Sequence, residues 1–334
     1  MIRSNPSLRR FAWHRHYQLF HVDRECIEEV YDWMGGLEMM GELAPMLPAV
    51  MALSGIHHMR EFHAAQGIPS DIGDVLLPEI GLWMRDHYTR YGTWGLTHLC
   101  WLVYHLYGML YQLGRLQFVP GPCLLNVRVF KNTQNGEIIT LSNPGITYRN
   151  DGQIDGMNGV HDPDAWVSEL GIADDLIRGN SIDDRGNALR ETVQLKTSEW
   201  EQVLATGDPI LEVHVYAGDP LDYDRCRESY DLAKEFFPRY FPNKPFRGFA
   251  CGSWLLDPNL EKLLPADSNI VRFQMDYRRI PMPGGDWQTF ERVFGSKTDD
   301  LASLPRDTSL RRAIRDHLIS GNQMWFSGGF ILAD

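Results

Sequence analysis

The chain has 334 residues, of which 43% are apolar and 23% charged, a composition that excludes a disordered, collagen-like or simple coiled-coil protein and a length that fits about two domains. Its 32 Lys and Arg against 44 Asp and Glu leave a net charge of −12, which repels phosphate backbones and argues against a general nucleic-acid or anionic-membrane binder. Cys26, Cys100, Cys123, Cys226 and Cys251 are odd in number and never spaced as Cys-x-x-Cys, so neither a disulfide framework nor a zinc finger is indicated. Reduced thiols in a cytoplasmic compartment are the simplest expectation.

The opening MIRSNPSLRR lacks the apolar run of a secretory signal. The first 118 residues read as helical. Asp23 can cap a helix to about Trp33, stopped by Gly35-Gly36. A second helix is expected from Pro48 toward Gln66, broken by Gly67 and Pro69, and a third from Ser70 or Asp71 to Tyr91. A fourth is marked by Leu96, Leu99, Val103, Leu106, Leu110 and Leu113, one apolar helical face. His98, His105, Gln112 and Arg115 make that stretch too polar for a membrane span.

The period then changes. Leu125, Val127 and Val129 alternate with polar neighbours, which predicts a strand over 124–131. Asn135-Gly136 is a hairpin signal, and 137–141 and 146–149 continue a β-meander. Residues 150–195 are rich in Gly, Asp and Asn and predict a loop-rich excursion, with one short helix near Asp164 to Leu170 and another begun by Thr197-Ser198-Glu199. From 210 the order is β-α-β: a strand over 210–216, a helix over 224–238 with Cys226, Tyr230, Ala233 and Phe237 on one face, and a parallel strand over 246–254. A short helix over 258–264, strands over 269–280 and 290–294, a helix over 310–319 and a strand within 323–332 complete the reading.

The strand 210–216 carries the chemistry. Glu212, His214 and Tyr216 point to one side, Leu211, Val213 and Val215 to the other. A carboxylate, an imidazole and a phenol in succession are the groups that move protons at neutral pH, although a hydrogen-bonded, inert His214 on a core strand fits the same pattern. On 246–254, Gly248, Ala250 and Gly252 are small enough to let a backbone or ligand approach, while Cys251 reads as a buried thiol rather than a nucleophile. Arg115 with Gln117, and Arg272 with Gln274, could each orient a polar ligand or stitch two elements together. His14, His16, His57, His58, His63 and the HDPD run at 161–164 form no metal-binding motif, so no metal is expected. The basic clusters Arg9 to Arg15 and Arg306 to Arg315 read as solvated faces.

The stretches LGRLQF (113–118), GDPILEVHV (207–215), SYDLAKEFFPRYFP (229–242), FACGSWLLDP (249–258), SNIVRFQ (268–274) and LPRDTSLRRAIRDHLISG (304–321) resemble bacterial acyltransferase-domain proteins, in which a helical N-terminal domain precedes a GNAT-like C-terminal domain. The resemblance covers nearly the whole chain. It implies an α+β protein: a helical domain over 1–118, then a GNAT-like mixed β-sheet domain with flanking helices over 119–334. It further implies that the strands 210–216 and 246–254 splay and admit acyl-CoA or acetyl-CoA as donor. Val215, Ala217, Gly218, Cys251, Ser253 and Trp254 would line the donor, His214 or Glu212 would take the proton of a small-molecule amine, and Tyr216 would reprotonate the thiolate. The chain departs from the family where Gln/Arg-x-x-Gly-x-Gly/Ala should wrap the pyrophosphate; here 217–224 reads AGDPLDYD. Two functions follow: an acyltransferase, or a non-catalytic ligand- or partner-binding protein on the same scaffold.

Overall fold

The computed structural model describes residues 37–333, which form two units. One is helical, runs to Leu113 and includes Gln117–Val119 and Tyr216–Pro220; the other holds Gly114–Leu116, Pro120–Val215 and the chain from Leu221. The expected helix at 23–33 and the Arg9–Arg15 cluster lie outside the described residues.

In the helical unit a 3₁₀ segment, Leu37–Met46, leads into α1 (Leu47–Gln66), opened by Pro48 and closed by Gly67 at φ 71°, a left-handed conformation that costs glycine nothing. After α2 (Asp71–Asp74) come α3 (Leu76–Tyr91) and α4 (Leu99–Leu106). The apolar stripe predicted from Leu96 to Leu113 is buried throughout, but it is not one helix. The N–H groups of Met109 and Leu110 both donate to the Tyr104 carbonyl, Gly108 turns the chain at φ 62°, and Tyr111–Leu113 forms β1. Met51 and Met59 of α1, Leu76 and Ile80 of α3, and Leu102 and Val103 of α4 share one core. No described helix is long and apolar enough to cross a membrane.

A carboxylate sits inside that core. Glu79 of α3 is 1% exposed. Its Oε1 accepts from the Nε1 of Trp83 at 3.4 Å and of Trp101 at 3.0 Å. Its Oε2 accepts from His105 Nε2 and Gln117 Nε2, each at 2.9 Å. Gln117 belongs to β2 (Leu116–Pro122), so the partner expected to orient a ligand instead satisfies this buried acid.

The second unit is built on two sheets. The first is antiparallel. It orders β10 (Trp200–Ala205), β3 (Val127–Asn132), β4 (Ile138–Ser142), β8 (Leu176–Ile182) and β7 (Leu170–Ala173), with β9 (Ala188–Lys196) also on β8. β5 (Thr147–Tyr148) pairs separately with β6 (Trp166–Val167). Nearly half of the excursion is therefore strand, and both short helices expected around it are absent. Residues 164–170 enter β6 and β7. Thr197–Glu199 is the turn that leads from β9 on β8 to β10 on β3, with Glu199 N–H on the Lys196 carbonyl at 2.9 Å. The Ser198–Glu201 spacing mimics a helix cap, but Thr197 N–H is claimed by Asp175 across the sheet.

The second sheet contains β11 (Pro209–Val215), β12 (Gly248–Ser253), β14 (Ser327–Leu332) and β13 (Arg278–Pro281) in that spatial order. β11 and β12 are parallel, joined by the crossing helix α5 (Tyr223–Tyr240); β14 is antiparallel to both β12 and β13. Val127, Val129 and Leu204 of the first sheet pack on Ile210, Ala250, Ile280 and Phe330 of the second. Cys226, Tyr230, Ala233 and Phe237 form the buried face of α5, as the sequence period predicts, and the Tyr230 ring lies 5.0 Å from that of Phe249. Further helices are α6 (Pro258–Leu263), α7 (Asn269–Met275), α8 (Trp287–Thr289, running on as a π turn to Phe294) and α9 (Ser309–Ile319). The strands expected over 269–280 and 290–294 are thus mostly helical. Ile270, Val271 and Phe273 favour a strand locally, but Ser268 accepts from Val271 N–H as a helix cap and the apolar side chains pack as a helix face.

Replacing Glu79 by Ala leaves three buried donors and the half-buried Trp101 facing an empty site. Chemical denaturation of the Glu79→Ala variant is expected to show a loss of about 3–5 kcal/mol, and Glu79→Gln, which keeps the shape and one acceptor, a smaller loss.

Candidate active site

β11 and β12 pair only where they begin. Leu211 pairs with Phe249 and Glu212 with Ala250; the chains then run on to Val215 and Ser253 beyond that paired stretch. β12 stays paired on its other side with β14 at every position from Gly248–Leu332 to Ser253–Ser327. The opening between the two parallel strands therefore lies on the β11 side, at their C-terminal ends.

The alternation read from the sequence holds along β11. Leu211 and Val213 are buried; Glu212 and His214 share the face of Ile210 and keep 44% and 29% of their side chains exposed. His214 Nε2 lies 3.3 Å from Glu212 Oε1. Partial burial raises the Glu212 carboxyl, but the hydrogen bond and charge of His214 outweigh it and hold the group below the ordinary range. Glu212 is thus a carboxylate at neutral pH, placed to stabilise a protonated imidazole.

The other expected site residues are divided. Val215 ends β11. Tyr216, Ala217 and Gly218 belong to the segment that clusters with the helical unit, and a Cβ at Gly218 would stand 2.3 Å from the Tyr216 hydroxyl, so the phenol lies over its own loop. Cys251 faces α5, is 2% exposed, and burial pushes its thiol far up, with the Glu212 charge adding to the effect. Ser253 Oγ accepts from Leu255 N–H at 3.1 Å. Trp254 donates its backbone N–H to Gln288 Oε1 at 2.9 Å, and its side chain packs with Leu260, Phe290 and Leu318. Gly252 is covered by the ring of Phe326 and the sulfur of Met282, and a Cβ at Gly248 would meet the Ile331 carbonyl at 2.3 Å. The small residues of β12 thus admit protein atoms.

Arg115 and Gln274 serve the scaffold. Arg115 is 2% exposed, with its backbone N–H on Ser229 Oγ at 2.8 Å. Gln274 donates to the carbonyls of Leu255 and Asp257. Arg272 reaches Asp224 from α7 and lies over the Tyr223 ring. In the basic run 306–315, Arg306 pairs with Asp316 and Arg311 with Asp307. His57 and His58 each face Glu61. Among the described residues no group of three or more His, Cys, Asp or Glu is placed to hold a metal ion.

Two carboxylates were not singled out by the sequence reading. Asp257 caps α6, is fully buried, and accepts from Trp325 N–H at 2.6 Å and Asn259 N–H at 2.8 Å; burial pushes its carboxyl up to about 7 despite these donors. The Asp257-Pro258 dipeptide was a legible helix start, but not a buried one. Asp155 holds His161 within the excursion, Oδ2 to Nδ1 at 3.0 Å.

The sequence profile of the GNAT-like C-terminal domain matches residues 110–331, and that of the N-acyltransferase N-terminal domain matches residues 2–108. No curated protein is significantly similar in sequence. Among solved structures the chain resembles an acyltransferase in complex with decanoyl-CoA and teicoplanin, at 24% identity and a TM-score of 0.63, over 100% of this chain and 80% of that one. An acyltransferase mutant in complex with octanoyl-CoA gives 23% identity, a TM-score of 0.63, and coverage of 99% and 80%. An acyltransferase in complex with decanoyl-CoA gives 21%, a TM-score of 0.62, and coverage of 99% and 79%.

Two outcomes test this geometry. Cys251 should resist iodoacetamide in the native protein at pH 8 and react only after denaturation, read by mass spectrometry. Asp257 keeps its proton in the folded state between about pH 4 and about 7, where the unfolded chain has lost it, so its contribution to stability falls as pH rises through that window. The melting temperature of Asp257→Asn relative to wild type should therefore move in favour of the variant from pH 4 to 7 and level off above.

Proposed function

Because the chain belongs to the family that joins an N-acyltransferase N-terminal domain to a GNAT-like C-terminal domain, we propose that it transfers an acyl group from an acyl-CoA thioester to the amino group of a small molecule, with His214 as base. The observation that carries this reading is that β11–β12 pairing ends at Glu212, whose carboxylate faces His214, beyond the paired stretch, at 3.3 Å. The donor's thioester would lie along that opening, its carbonyl toward the backbone of β11, beside Val215. The acyl-CoA complexes of the similar structures support this donor class, and the one that also holds teicoplanin supports a small-molecule acceptor.

The reaction balances on these groups. The amine lone pair attacks the thioester carbonyl and a C–N bond forms. His214 takes the proton released from nitrogen, and Glu212 stabilises the imidazolium. The C–S bond breaks, and the thiolate receives a proton from the His214 imidazolium. The loop 217–224 carries Asp219, Asp222 and Asp224 where phosphates would need cations, and Asp222 already occupies an N–H of α5, accepting from Arg225 at 3.0 Å. That loop favours the second reading, a binding protein on the same scaffold, if no donor binds.

The test combines two readouts. Decanoyl-CoA should raise the melting temperature of wild type and of His214→Ala alike, because the variant removes no donor contact. Release of coenzyme A and acylated amine, followed by mass spectrometry over a panel of primary amines, should fall about 10²–10⁴-fold in His214→Ala. Equal turnover in the two proteins would remove His214 from the mechanism; no thermal shift and no turnover in wild type would leave the binding-protein reading.

A further inference from the structure

The HDPD run at 161–164 has no part in the reaction above, yet the fold places it with care. It lies in the 149–165 connection between β5 and β6. There Asp155 Oδ1 accepts the N–H of Asp162 at 2.8 Å, and Asp155 Oδ2 holds His161 Nδ1 at 3.0 Å. The carboxylate is 15% exposed and the imidazole 74% exposed, so a sheltered acid orients an outward ring through one nitrogen and leaves Nε2 on the solvent side. The N–H of Asp162 and the ring of His161 together hold the Asp155 carboxyl below its ordinary range. Asp162 is the other carboxylate at the pair; Arg149 and Asp151 pair with each other at the start of the connection, and Asp286, ion-paired to Lys297, faces it from the loop after β13.

This turn is fastened at one end of the second sheet. Asn158 accepts from Asp286 N–H at 2.9 Å and donates to the Met324 carbonyl at 2.9 Å; Gly284 N–H points at the Met157 sulfur at 3.3 Å. The Arg149 guanidinium lies 4.5 Å over the Trp325 ring, and Trp325 N–H is held by Asp257. Those partners belong to the loop that leaves β13 after Pro281 and the loop that enters β14 at Ser327. Ser327 pairs with both Pro281 and Ser253. Because β11 runs parallel to β12, the end marked by Ser253 is also the end of β11 that carries His214. Two imidazole–carboxylate pairs, His214–Glu212 and His161–Asp155, therefore belong to the same end of one sheet.

We infer that His161, held by Asp155, receives the acceptor on its ammonium side and takes the first of the two protons that an amine must lose. This rests on the acyl-transfer reading and extends it to a substrate class: a primary amine that arrives protonated. At neutral pH such an amine is an ammonium ion without a nucleophilic lone pair. One N–H bond breaks before attack, its proton going to His161 Nε2 and its electron pair staying on nitrogen; the exposed imidazolium returns the proton to water. The second proton leaves after the C–N bond forms and goes to His214. Two protons at two stages are matched by two oriented imidazoles, and the carboxylates of Asp155 and Asp162 at His161 disfavour an anionic acceptor.

The test uses the full-length protein with decanoyl-CoA, benzylamine as acceptor, and acceptor-free thioester hydrolysis as an internal control. In His161→Asn the KM for benzylamine should rise about tenfold or more, with the acidic limb of kcat/KM for amine displaced to higher pH. The KM for decanoyl-CoA and the hydrolysis rate should stay within about twofold of wild type. Asp155→Asn, which keeps an acceptor for the ring while removing the charge, should give the same pattern more weakly. An unchanged benzylamine KM in His161→Asn overturns the inference, and so does a parallel fall of amine transfer, hydrolysis and donor affinity, which would mark a purely structural turn. If wild type neither hydrolyses decanoyl-CoA nor acylates any amine, the acyl-transfer reading itself fails and this inference falls with it; activity in wild type with no effect of His161→Asn sinks this inference alone.

Discussion

Everything in the second unit depends on β12 being held on one side and released on the other. A parallel pair that kept its register to the end would bury His214 and Val215 in a continuous sheet. Here the pairing with β11 covers Leu211 and Glu212 only, while six positions of β12 are paired with β14. The strand therefore cannot follow β11. Gly248 makes the β14 contact possible, because any side chain there would strike the Ile331 carbonyl. On the opposite face Phe249 is fixed by Tyr230 of α5. The opening is a consequence of where β12 is tied, and no residue inside it has to force the strands apart.

That arrangement sorts the titratable groups by face. The α5 side of β12 is dry, so Cys251 is a packing residue with a thiol too costly to ionise. The other side, with Ile210 and Ala250, leads to Glu212 and His214 and reaches solvent at the strand ends. The sequence already reads Cys251 as a buried thiol rather than a nucleophile, and its burial on the α5 side of the sheet accounts for this.

Much of this was legible in the sequence because period and burial agree where an element has one dry and one wet side. β11 and α5 are of that kind: Leu211 and Val213 alternate with polar residues, and Cys226, Tyr230, Ala233 and Phe237 recur at helical steps. The excursion was not legible because β7 and β9 expose most of their residues on both faces, so no apolar alternation marks them. Helix α7 was misread because β-branched residues bias the local signal, whereas its cap and its buried Gln274 are decided by partners far along the chain. The point at which β11–β12 pairing stops leaves no local trace, since register is fixed by β14, more than 70 residues downstream of β12. The His161–Asp155 pair was visible only as a loop-like HDPD run, because its meaning lies in the hydrogen bonds that seat Asn158 beside Met324.

Asp257 and Glu212 show how one unit gives two carboxyls opposite characters. Asp257 needs an acceptor strong enough to hold Trp325 N–H at 2.6 Å where no water reaches, and the cost of that burial is a proton retained to about pH 7. What it secures is the segment 323–326, on which Phe326 covers Gly252 and Met324 receives Asn158. Glu212 stands at the strand end with an imidazole beside it and stays ionised. Had the two environments been exchanged, a neutral Glu212 could not stabilise a protonated His214, and a solvated Asp257 would not fix the loops at the ends of β13 and β14. The burial that makes one carboxyl a structural anchor is the same property that must be withheld from the other for it to assist proton transfer.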